Sequence, residues 1–78
     1  MITIDTSNMC SHLRQKLFDE DGEYHRLWQA MCEDNDLSAV VRSRQLHIYR
    51  GGKKILILKG KAEPQIIKDD VIVRLLKR

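Results

Sequence analysis

A chain of 78 residues, 42% hydrophobic and 32% charged, makes one domain at most and buries only about 60% of the surface that its unfolded form exposes. Its two cysteines, Cys10 and Cys32, follow no signal-peptide pattern in Ile2–Asn8, which predicts reduced thiols in a cytoplasmic protein, and no run approaches the roughly 20 apolar residues that span a bilayer. The net charge of +3 conceals a split: residues 1–37 set Arg14, Lys16 and Arg26 against eight Asp/Glu (net −5), whereas residues 38–78 set eleven Lys/Arg against Glu63, Asp69 and Asp70 (net +8). Either the halves screen each other within the fold, or the basic half is a surface for an acidic partner, nucleic acid included.

The first element reads as a helix over Thr6–Phe18. Asp5, Thr6 or Ser7 can cap it with a side-chain oxygen, and Met9, Leu13 and Leu17 recur every fourth residue on one face with Phe18 at its edge. Asp19-Glu20-Asp21-Gly22 ends it, because glycine permits the exit and carboxylates are unfavourable at a helix C-terminus. Those carboxylates suit the start of a second helix, Glu23–Glu33. There Tyr24, Leu27, Trp28 and Met31 fall at the i, i+3, i+4, i+7 spacing of a buried stripe, and Asp34-Asn35-Asp36 closes the segment.

After Ser38 the period changes to that of strands: Ala39–Ser43, Leu46–Arg50 and Lys54–Leu58. Gly51-Gly52 signals a two-residue hairpin turn, since the favoured turns need positive φ. A regular hairpin on that turn pairs Arg50 with Lys53, Tyr49 with Lys54, Ile48 with Ile55, His47 with Leu56 and Leu46 with Ile57. Leu46, Ile48, Ile55 and Ile57 then face the core, with His47, Tyr49, Lys54, Leu56 and Leu58 opposite. Gly60 and Pro64 bracket a loop, and Gln65–Lys68 is a candidate short strand. Val71–Leu76 is apolar enough for a buried strand, but acids before it and Lys77-Arg78 after it match a helix dipole and favour a short helix. An apolar segment at the chain's end also suggests the N-terminal part of a longer protein, and a docking point for a second domain or subunit, homo-oligomer included.

The candidate chemistry is thin. Cys10 and His12 lie about 200° apart around a helix, and His25 and Cys32 two turns apart, so neither pair chelates a metal. No Cys–His–Asp grouping has a spacing that assembles a nucleophile, and Gly51-Gly52 lacks the following helix of a phosphate-binding loop. The expectation is therefore no enzyme, no metal and no cofactor. One feature points to binding: Arg42, Arg44, Arg50, Lys53 and Lys54 crowd the strands with His47 and Tyr49 between them, the mixture of phosphate-neutralising cations and stacking rings that nucleic-acid binders combine. Cations on strands and hairpin tips also block edge-to-edge aggregation. If the cations contact phosphates, removing Arg50 and Lys53 flattens the salt dependence of binding and, since both are expected to be exposed tip charges, leaves stability almost unchanged.

Residues 40–56, Val-Val-Arg-Ser-Arg-Gln-Leu-His-Ile-Tyr-Arg-Gly-Gly-Lys-Lys-Ile-Leu, resemble a block near the N-terminus of uncharacterised bacterial proteins, some of which carry a restriction-endonuclease-like domain further on. The acidic residues and Glu-x-Lys strand of such nucleases have no match, because Lys59-Gly60-Lys61-Ala62-Glu63 runs in the wrong order. The resemblance implies an N-terminal accessory module without a nuclease site. The expected whole is a single α+β domain over residues 1–78. Two N-terminal helices pack on an antiparallel sheet of about three strands, followed by a short C-terminal helix or strand. Its leading role is as a non-catalytic accessory or protein-interaction module, and the alternative is a nucleic-acid-binding module built on the basic hairpin.

Overall fold

The computed structural model describes residues 6–74. A 3-10 turn at Thr6–Asn8 leads into helices α1 (Ser11–Phe18) and α2 (Glu23–Glu33). Four strands follow, β1 (Leu37–Arg42), β2 (Gln45–Arg50), β3 (Lys53–Leu58) and β4 (Gln65–Ile66), and then a one-turn helix, α3 (Val71–Arg74). The strands form an antiparallel sheet in chain order. The class is α+β as the change of period predicts. The sheet has four strands rather than about three, because Gln65 and Ile66 pair with Ile57 and Leu56. The C-terminal element is a helix through Arg74, and its expected continuation through Leu76 lies outside the described residues, as does the candidate cap Asp5.

The first helix is shorter than its hydrophobic spacing predicts. At Cys10 the backbone is extended (ψ 136°), and its N–H donates to the Arg44 carbonyl at 3.0 Å. That bond to the β1–β2 turn separates the 3-10 turn from α1, whose N-cap position carries no side-chain cap. Met9, Leu13 and Leu17 are nevertheless all buried. The second helix has the predicted bounds. Leu27 and Met31 are its buried centre, while Tyr24 and Trp28 are half-buried flanks, Trp28 meeting the exposed Phe18 ring edge-on at 5.8 Å. His25 Nδ1–H donates to the Leu17 carbonyl at 2.9 Å, which satisfies one of the carbonyls left open at the end of α1.

The β2–β3 hairpin corrects the expected register. Arg50 faces Lys53 and Tyr49 faces Lys54, but a bulge then shifts the ladder so that Ile48 faces Leu56, His47 faces Ile57 and Leu46 faces Leu58. Ile55 is the extra residue. A bulge puts two successive side chains on one side, so Ile55 and Leu56 both enter the core. Leu58 follows them, and Ile57 turns to the other face. The sequence Ile-Leu-Ile-Leu supplies an aliphatic residue to either face in either register, which is why periodicity alone selects the wrong one. β1 begins at Leu37, two residues before its predicted start, and Ser43 belongs to the turn.

One cluster forms the core. Leu13, Leu17, Leu27 and Met31 from the helices, with Ile72 and Val73 from α3, meet Leu37, Leu46, Ile48, Ile55, Leu56 and Leu58 from one face of the sheet. Ile57 is buried but lies outside this cluster. Gly60 is buried where the β3–β4 loop crosses the start of α1. A side chain there would place its Cβ 2.7 Å from Cys10 Sγ and 3.4 Å from the Leu13 amide nitrogen, so only glycine permits the crossing.

Candidate functional site

The helices pack on one face of the sheet, and among the described residues no element lies on the other. Strand alternation and the observed register assign that second face. One row across all four strands is Val40, His47, Ile57 and Gln65. The next is Ser38, Tyr49 and Lys54, and Arg42 stands beside Gln45 at the end near the β1–β2 turn. Val40 is 40% exposed, and Ser38, Arg42 and Gln65 are exposed as well. No carboxylate is present on this face. From Leu37 to Ala62 the chain in fact contains no Asp or Glu, against seven Lys/Arg.

Of the residues singled out in the sequence, the sheet brings Arg42, His47, Tyr49 and Lys54 together on the uncovered face. The Lys54 ammonium lies 5.7 Å from the centroid of the Tyr49 ring, as expected of directly opposed residues on neighbouring strands. Both ring nitrogens of His47 are buried without a hydrogen-bond partner. Burial, and then the charges of Lys54 and Arg42, push the imidazole below its ordinary pKa, so it is neutral at pH 7. Arg44 and Lys53 stand at opposite ends of the strands, Arg44 in the β1–β2 turn and Lys53 beside the Gly51-Gly52 turn.

Arg50 is the exception. It shares a pairing position with the buried Leu37, and its guanidinium is drawn to the helical side. There Nη1 donates to Asp34 Oδ2 at 3.0 Å, and Nε lies 3.0 Å from Asp70 Oδ2 in an ion pair whose N–H is not aligned on the oxygen. The free tip charge expected at this position is held between two carboxylates. Sequence spacing gives no warning of this, because Asp34, Arg50 and Asp70 converge only once the helices lie on the sheet.

A second feature escaped the sequence reading. A cleft of about 480 Å³ opens between the start of α1, the β1–β2 turn and the β3–β4 loop. It is lined by Cys10, His12, Ser43, Arg44, Gln45, Lys59, Gly60, Lys61 and Ala62, without an acidic residue. The amides of Leu13 and His12 hold the Cys10 thiol below its ordinary pKa, against the effect of burial and with help from Arg44 and Lys61. Separately, Ile66, Ile67 and Val71 are 41%, 48% and 69% exposed, a run of bare aliphatic side chains at the edge strand β4 and the start of α3. No cluster of three or more metal-ligating side chains exists among the described residues, nor any helix long and apolar enough to cross a membrane. Comparison with protein-family models, curated proteins and solved structures returns no match.

Proposed function

We propose that this chain is a non-catalytic accessory or interaction module that takes its partner on the uncovered face of the sheet. The observation that carries this reading is the one-sided packing: three helices bury one face, while the other presents the exposed Val40 in one row with a buried Ile57, with Arg42 and Lys54 around them. An apolar centre with a polar rim is the anatomy of a binding surface. The two free cysteines suit a reducing cytoplasm. The likeness of residues 40–56 to an N-terminal block of larger bacterial proteins supports an accessory role.

The exposed Ile66, Ile67 and Val71 favour a second reading, in which a further domain or subunit docks along the β4 edge. Site-directed photocrosslinking in cells separates the two. A photoreactive residue at Val40 is expected to give adducts, whereas one at Gln29 on the helical side is expected to give none. Adducts at Val71 with none at Val40 would transfer the site to the β4 edge, and adducts at Gln29 alone would refute both readings.

A further inference from the structure

The partner that fits the uncovered face is constrained by charge and by shape. A second copy related by a two-fold axis would bring together two faces that each carry Arg42 and Lys54 and no carboxylate, so an isologous dimer here gains no charge pairing and is opposed by like-charge repulsion. The occupant must be acidic. Cations stand at both ends of this face, Arg42 at one and Lys54 at the other. Between them lie the half-buried Tyr49 and His47 and the exposed aliphatic Val40. This order, with charge outside and rings and apolar carbon inside, matches a chain whose phosphates lie apart from flat, apolar-faced bases.

A folded duplex hides those base faces in its own stack, and a sheet face has no protruding element to enter a groove. A single strand offers its bases to the sheet directly. We propose that the uncovered face binds single-stranded nucleic acid, with Arg42 and Lys54 on phosphates and Tyr49 and His47 against bases. The inference rests on the reading that this face is the docking surface. Lys54, now over the Tyr49 ring, moves to a phosphate as a base takes its place, so one side chain exchanges a cation–π contact for an ion pair. Arg50 takes no part, because Asp34 and Asp70 already neutralise it.

The test is a fluorescence-anisotropy titration of the whole chain with a labelled single-stranded oligonucleotide and with its duplex at two salt concentrations, and with amide NMR shifts recorded for each ligand. The single strand is expected to bind more tightly than the duplex, with the largest shifts at Val40, His47, Tyr49 and Ile57. The double variant Arg42→Ala/Lys54→Ala should flatten the slope of log affinity against log salt by about one to two units. Tyr49→Leu, checked as folded by circular dichroism, should weaken the single strand at least about fivefold and leave that slope unchanged. Equal affinity for the duplex, or an unaltered slope in the double variant, overturns the proposal. Poly-glutamate serves as the second ligand. If it shifts the same four residues and no oligonucleotide does, the nucleic-acid inference fails and the docking face stands. If neither ligand shifts them, both fail.

Discussion

Ser43 and Arg44, the two residues of the β1–β2 turn, have φ of 51° and 65°, a left-handed backbone that glycine or asparagine adopts at little cost and other residues do not. The next turn meets the same requirement with Gly51 and Gly52, at φ of 57° and 81°. The first turn therefore stores strain that the second avoids. It also has something to hold, because the Arg44 carbonyl accepts the Cys10 amide and the Arg44 side chain lines the basic cleft. Replacing Ser43-Arg44 by Asn-Gly is expected to raise stability by about 1 kcal/mol in urea denaturation, since the backbone bond to Cys10 survives and the strain is relieved. A loss of stability would show instead that the Arg44 side chain contributes more to the fold than its backbone costs.

At the scale of elements, most of the helical half was legible and the sheet register was not. Leu27 and Met31 have no apolar equivalents on the opposite side of α2, so a 3.6-residue period has one solution, and the bounds Glu23–Glu33 follow. Ile55-Leu56-Ile57-Leu58 has no polar residue to mark a face, so a bulge at Ile55 leaves no trace in the pattern. The candidate site inherits the same limit. Tyr49 and Lys54 could be placed on one face from the turn alone, because the bulge lies beyond them, and His47 joins them by alternation along β2, which carries no extra residue. The removal of Arg50 from that group depends on Asp34 and Asp70, which are 16 and 20 positions away in sequence. The bulge can be tested directly. Leu56→Lys puts a charge into the core and is expected to cost more than about 3 kcal/mol, enough to unfold most of a chain this small. Ile57→Lys, on the uncovered face, can extend its ammonium into water and should cost about 1–2 kcal/mol. Chemical denaturation of both variants decides the register, and the reverse order of costs would restore the hairpin without a bulge.

Across the whole molecule, the acidic helical half and the basic sheet half meet at Arg50. Asp34 ends α2 and Asp70 caps α3, where its Oδ1 accepts the Ile72 amide at 3.2 Å, so a single guanidinium on β2 ties two helices to the sheet. These three side chains are 14–31% exposed, which places the pairs between screened surface ion pairs and fully buried ones. Arg50→Met keeps the apolar stem and removes the charge, and it is expected to lower stability at pH 7 by about 1–2 kcal/mol. The pH dependence gives a second, independent readout. Burial alone would push the Asp70 carboxyl up, but the Ile72 amide and the Arg50 guanidinium outweigh it and hold its pKa below the ordinary 3.8. A carboxyl whose folded pKa is depressed contributes stability that is fully present above its unfolded pKa and is lost as pH falls through the folded value. The wild-type chain should therefore lose stability below about pH 4, and Arg50→Met should lose less over the same interval because part of the depression is already gone. Urea titrations at pH 7, 4 and 3 measure both effects together. A variant as stable as wild type at pH 7, with an unchanged acid limb, would show that the two halves are held by the core alone and that the meeting of opposite charges at Arg50 contributes nothing to the fold.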